Sequence, residues 1–308
     1  MIKRKTVLVL GAGASKPYGF KLGGELTNYI YKELAKETTQ LFSLLVDLDF
    51  SPTHIIEFRR ELRRSKLRSV DRFLEQRSEF REVGKTAIAA CLIEGEAEEN
   101  LYPSEGDWHA ELWERLGPKL EDIGNSHLSV VTFNYDRSFD QFLYQAFKST
   151  FGLSDQRVTP YLQYVPIVHV YGQLGALPHQ DPASGRAYQP PAPGQWATEA
   201  GRAREGIKIV SEGGEDDREL RVAREWIGGA ESVCFLGFGY LPKNVERLGL
   251  RQRSGDPHLW GSAFDVRDDE RQRIKVLFRT PELAKHEINL GGRDEDVLEC
   301  LRQHAFLQ

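Results

Sequence analysis

Five residues near the start, Thr6 to Leu10 (TVLVL), place the strongest constraint on this 308-residue chain. A short, continuous apolar run rich in β-branched side chains reads as a buried strand. It stops at once in Gly11-Ala12-Gly13-Ala14-Ser15, with no large side chain before Lys16. A strand that ends in small residues lets another group approach its backbone closely. In a parallel α/β sheet, ligands bind beyond the carboxyl ends of such strands. The N–H groups of a glycine-rich turn leading into a helix suit a phosphate or pyrophosphate. The spacing departs from the dinucleotide fingerprint Gly-x-Gly-x-x-Gly, because position 16 is Lys. After Gly24, ELTNYIYKELAKE reads as a helix, where that fingerprint calls for a second strand ending in an acidic ribose-binding residue. Gly11 and Gly13 also fit a tight strand-to-helix turn that holds no ligand.

The next hundred residues carry no strand signal. Apolar residues at 26, 29, 30 and 34 have helical spacing over Glu25–Lys36, and Gln40–Leu48 continues in kind. Pro52 reads as a break, followed by a helix from His54 to Arg68 with Arg59, Arg60, Arg63, Arg64 and Lys66 on its surface. That basic surface fits a solvated helix face, a nucleic-acid contact or a partner contact. Ser69 is a plausible N-cap for Val70-Asp71-Arg72-Phe73-Leu74, and residues 79–124 continue as helical segments. The expectation is a helical insertion over residues 25–124 that leans over a sheet edge.

Strand-type sequence returns at Leu128–Phe133, followed by Asn134-Tyr135-Asp136 and a helix from Phe139 to Phe147. Val165–Tyr171 reads as a third strand, closed by Gly172. Residues 176–204 are rich in Pro and Gly and fit no single regular element; they read as a lid, a binding loop or a surface excursion. A βαβ pattern follows: strand Ile207–Val210, helix Glu215–Gly228 and strand Ser232–Leu236, the last ending in Gly237-Phe238-Gly239-Tyr240. Asp265–Arg279 and Asp294–Phe306 read as closing helices, with Lys275–Phe278 an alternative last strand. The fold class expected is α/β: a Rossmann-like parallel sheet flanked by helices, in one domain over residues 1–308, with the long helical insertion after its first strand.

A formal net charge of −5 argues against nucleic-acid binding through overall charge, though not against a local basic patch. No apolar run approaches a membrane span, and the N-terminal MIKRKTVLVLG passes straight into the first strand, so neither a signal peptide nor a membrane location is expected. The expected location is cytoplasmic. Cys91, Cys234 and Cys300 are widely spaced, which leaves no disulfide framework or zinc ribbon, and no metal is expected.

Four strand ends thus carry polar or Gly-rich turns: GAGAS, FNYD, HVYG and GFGY. In a parallel sheet they converge on one edge. Their order, from Gly11-Ala12-Gly13-Ala14-Ser15 through Asn134-x-Asp136 and a His-and-Gly turn to Gly237-x-Gly239, resembles the sirtuin-type NAD fold. It is more closely similar to the sirtuin-like domains of bacterial anti-phage defence systems, which Ser69-Val70-Asp71-x-Phe73-Leu74 also resembles. The resemblance runs in order from residue 6 to about residue 250. It implies NAD⁺ as substrate, bound by Gly11, Ala12, Gly13, Ser15, Asp136, Tyr171, Gly237 and Gly239. It further implies cleavage of the nicotinamide glycosidic bond, with water as acceptor. Asn134 matches the family's catalytic Asn, and Asp136 the residue that holds the nicotinamide amide; Asn and Asp there also fit a helix cap and turn. The paired cysteines of the sirtuin zinc module are missing. The family usually places its catalytic His directly before the Gly, where this chain has Tyr171. On a strand, residues 169 and 171 share a side about 6.5 Å apart. His169 is therefore a candidate base, or else a structural histidine, with Tyr171 then in the family position. The resemblance implies an enzyme held inactive until triggered, by homo-oligomerisation or by a partner ATPase or helicase docked through the insertion. The alternative is a non-catalytic NAD- or nucleotide-binding subunit.

Overall fold

The computed structural model describes residues 1–209, 217–250, 257–279 and 287–303. Its six strands are β1 (Thr6–Leu10), β2 (Leu128–Thr132), β3 (Ile167–His169), β4 (Ser232–Leu236), β5 (His258–Gly261) and β6 (Asn289–Leu290). They form one sheet in the order β3-β2-β1-β4-β5-β6, every pairing parallel. This is the Rossmann-like α/β architecture the sequence predicts, with helices flanking the sheet. All five residues of β1 are buried, as a central strand covered on both faces requires. Leu10 lies level with Thr132 on one side and Leu236 on the other, and Thr132 lies level with His169. The four polar turns therefore leave from one edge. In this strand order the chain reverses direction between β1 and β4, the place where such sheets bind ligands.

Between β1 and β2 there are only helices and turns. The centre of the insertion is the helix Arg81–Ile93, whose residues from Val83 to Ile93 are all buried. A helix buried all round needs neighbours on every side. Here they are the helices Gly23–Glu33, Gln40–Asp47, Pro52–Ser65 and Val70–Gln76, together with Trp196–Glu205 from beyond β3. The apolar core of the insertion is continuous with that of the sheet. Pro52 starts a helix rather than interrupting the chain: Ser51 caps it and Pro52 occupies the first turn, where its missing N–H is harmless. On that helix Arg59 and Arg63 lie over the Tyr31 ring at 4.3 and 5.3 Å, while Arg60 and Arg64 pair with Glu61.

Several elements differ from expectation. Ile207 makes only an antiparallel bridge to Gly172 and joins no strand of the sheet; Val210 lies outside the described residues. Lys275–Phe278 belongs to the helix Asp268–Phe278, not to a strand. The irregular stretch after β3 ends earlier than residue 204, because Trp196–Glu205 is a helix with Ala200 and Ala203 buried against the insertion. Strands β5 and β6 have no counterpart among the expected elements. At four and two residues they are too short to show a period.

Candidate active site

The glycines of the first turn are explained first by packing. A Cβ on Gly11 would stand 2.7 Å from the Gly237 carbonyl oxygen, and one on Gly13 would stand 2.8 Å from the Gly237 Cα. Gly237 itself has φ +57, and a Cβ there would collide with the Ala14 nitrogen at 1.9 Å. The two strand ends interlock backbone to backbone, which no side chain would permit. Gly13 N–H donates to the Gly237 carbonyl at 2.9 Å, Gly11 N–H to the Leu236 carbonyl at 3.0 Å, and Ala14 N–H to the Gly11 carbonyl. Those three donors are thus used within the protein. Gly239 differs: its Cβ would meet nothing within 4 Å.

Around the start of that turn lies a polar cluster. The Asn134 side-chain amide donates to the Gly11 carbonyl and to Ser15 Oγ, both at 2.9 Å, so both its N–H bonds are committed. Asp136 is buried and accepts from the Ser138 amide at 3.2 Å and from the Ser138 hydroxyl. It therefore closes an Asx-type turn that leads into the helix Ser138–Phe151, the structural role open to an Asp in that turn. Burial raises its pKa, against the lowering pull of hydrogen bonds from Ser138 and Ser15. His169 is held at both ring nitrogens: Nδ1 lies 3.0 Å from the Asn134 carbonyl and Nε2 lies 3.1 Å from Asp140 Oδ2. Burial alone would lower its pKa, but Asp140, the Asn134 carbonyl and Asp136 together raise it. A doubly protonated ring satisfies both acceptors and has no lone pair to take a proton. For His169 to act as a base, the Asp140 contact must open.

Tyr171 does not share this cluster. After His169 the chain leaves the strand for a turn, so the same-side geometry of a continuous strand is lost. The Tyr171 hydroxyl donates to Asn244 Oδ1 at 2.8 Å and accepts from Arg247 at 3.3 Å. Burial pushes its pKa up to about 12. Tyr135, between Asn134 and Asp136, donates to Asp71 at 2.6 Å. The Ser69–Leu74 segment thereby ties the insertion to the end of β2.

Two cavities border the Gly11–Ser15 turn. The larger, about 630 Å³, lies over the ends of β1, β4 and β5, with Ala12, Gly13, Gly237 and Gly239 in its wall. Carboxylates of Glu105, Glu270 and Asp296 also line it, as does Lys16. Tyr240 in its wall has φ +48, an uncommon backbone state for a bulky residue. The smaller cavity, about 10 Å³, is lined by Ser15, Asn134, Asp136, Asp140, His169 and, from the insertion, His109.

Sequence reasoning missed Ser262, whose hydroxyl accepts from Gly237 N–H at 2.8 Å and fixes the GFGY turn. It follows the unforeseen β5. Also missed was a buried ionic group. Glu96 pairs with Arg137, at 2.8 Å, and with Arg186, all three nearly without solvent exposure. Arg137 further donates to the carbonyls of Gly175, Ala176, Arg186 and Ala187. The loop after β3 is thus fastened to the residue that follows Asp136. The partners stand 41 and 90 residues from Glu96 in sequence, so no local pattern announces them.

Among the described residues no group of three or more His, Cys, Asp or Glu is placed to hold a metal ion, and no helix is long and apolar enough to cross a membrane. No family model matches the chain, and no curated protein matches it.

Proposed function

We propose that the protein is an NAD⁺ hydrolase. It would cleave the bond between nicotinamide and ribose to give ADP-ribose and nicotinamide, as a triggered, cytoplasmic, NAD-depleting effector of anti-phage defence. The observation that carries this reading is the shared wall. One five-residue turn, Gly11–Ser15, borders a cavity of about 630 Å³ on one side and the Asn134–Asp136–His169 cluster on the other. In the larger cavity the carboxylates of Glu105, Glu270 and Asp296 suit ribose hydroxyls, which donate to them. At the smaller end, departure of nicotinamide leaves an oxocarbenium-like ribose, as in glycoside cleavage. Asn134 orients the ribose or the attacking water, Asp136 accepts from the nicotinamide amide, and the buried surroundings exclude stray solvent. No metal is needed for this chemistry.

Asn134 has both amide donors, and His169 both ring nitrogens, committed within the protein. That supports an enzyme at rest, released by oligomerisation or by a partner ATPase or helicase. It equally favours a second reading, a non-catalytic NAD-binding subunit of a larger complex. Calorimetry and product analysis with NAD⁺ separate the two, using the protein alone and with the product of its neighbouring gene. The hydrolase reading expects NAD⁺ binding with release of nicotinamide, and an Asn134→Ala variant slowed about 100-fold or more. Thermal melting of that variant shows whether it folds. Tight binding with NAD⁺ recovered intact under every condition selects the second reading.

A further inference from the structure

His109, the second residue of the insertion helix Trp108–Leu116, is fully buried. Its ring stacks on Tyr18 at 3.6 Å between centroids and lies 5.1 and 5.0 Å from Phe139 and Phe142. Among the described residues neither ring nitrogen has a hydrogen-bond partner. Buried polar atoms in folded proteins are nearly always paired, so such a group points to a ligand or to water. Burial drives the His109 pKa well below the usual histidine range, which keeps the ring neutral, with one N–H donor and one bare acceptor nitrogen. The ring lines the small cavity with Asn134, Asp136 and His169, of which the Asn134 amide donors, Asp136 Oδ1 and both His169 ring nitrogens are engaged within the protein. Of the residues lining this wall, only His109 has buried side-chain polar atoms without a hydrogen-bond partner. Its place is fixed by Tyr18, whose hydroxyl accepts from the His109 amide at 2.9 Å, and by Trp108, whose indole donates to the Ala14 carbonyl at 2.7 Å.

We propose that His109 is a binding residue of the small cavity, pairing its neutral ring with the primary carboxamide of a nicotinamide-class group. The proposal rests on the NAD⁺ reading above and deepens it. The two ring nitrogens point apart, so one carboxamide meets one of them, its carbonyl oxygen accepting from the ring N–H or its N–H donating to the bare nitrogen. A space of about 10 Å³ takes one group of about the size of water, so only the amide tip enters. The insertion thereby supplies a residue that the sheet lacks, and docking at the insertion acts on the leaving group.

The test is an NMR titration of the full chain, labelled with ¹⁵N-histidine, using nicotinamide as probe and nicotinic acid as control. His109 resonances are assigned by their loss in His109→Phe, which keeps the aromatic packing. The expected result is that nicotinamide shifts them while the ring stays neutral at pH 7. Nicotinic acid, with no amide donor, binds about tenfold more weakly, and His109→Phe weakens nicotinamide binding about tenfold. Resonances unmoved at saturating nicotinamide, no nicotinamide binding, or equal affinity in wild type and variant each overturn the proposal and leave a structural water as the ring's partner. The wild-type titration stands even if the variant fails to fold. Nicotinamide moving His109, with no NAD⁺ turnover by the protein alone or with its neighbouring gene product, refutes the hydrolase and keeps the binding residue. NAD⁺ hydrolysis with nicotinamide affinity unchanged by His109→Phe refutes the binding residue alone.

Discussion

His169 and Asp140 form a pair with 9% and 7% side-chain exposure, so their attraction is little screened by solvent. The neighbouring titratable groups are Asp136, which favours charge on His169, and the neutral rings of His109 and His179, both lowered by burial. The His169 pKa in the folded protein is raised above the value of about 6.5 in an unfolded chain. The charged pair therefore stabilises the fold fully below about pH 6.5, and that contribution is lost as pH rises through the raised value. Asp140→Asn should lower stability by about 1–3 kcal/mol at pH 6 in urea denaturation, with the difference from wild type shrinking at higher pH. A difference independent of pH would show that His169 is not charged by Asp140. The same pair bears on activity, because a ring with both nitrogens committed cannot serve as a base until the contact breaks.

Beyond the sheet pairing, the Glu96 group joins the elements around the site. Glu96 comes from the insertion, Arg137 from the turn after β2 and Arg186 from the loop after β3. Glu96→Gln leaves two buried guanidiniums facing each other, and removing one partner of a buried ion pair costs about 3–5 kcal/mol. The expected outcome is a loss of that size in chemical denaturation; a loss below about 1 kcal/mol would mean the loop is held by its carbonyl contacts alone. Such a group is invisible in sequence, because ion-pair partners far apart leave no periodic trace. The strands β1, β2 and β4 were legible because each is a continuous apolar run ending in small or polar residues. Strand β5 was not: HLWG holds too few apolar residues to stand out, and Ser262 was overlooked with it. Asn134 and Asp136 were legible through their turn, but the free imidazole beside them was not. His109 follows Trp108 on an amphipathic helix, where a lone histidine reads as ordinary packing.

At the scale of the molecule, a flush parallel sheet brings four turns to one edge, and the helical insertion closes over them. Tyr18 donates to Asp107 at 3.1 Å, Trp108 to the Ala14 carbonyl, and Tyr135 to Asp71, each a bond between the insertion and a segment that follows β1 or β2. A shift of the insertion therefore pulls on the turn after β1 and on Tyr135, which stands between Asn134 and Asp136. This is the physical basis for proposing an enzyme that waits for a trigger. The central claim, that water is the acceptor in breaking the nicotinamide bond, is tested by running the reaction in H₂¹⁸O. The protein, alone and with its neighbouring gene product, is incubated with NAD⁺ and the products are weighed by mass spectrometry. The account predicts equal amounts of nicotinamide and ADP-ribose, with one ¹⁸O in the ribose of the ADP-ribose. NAD⁺ recovered whole and unlabelled under every condition would contradict it.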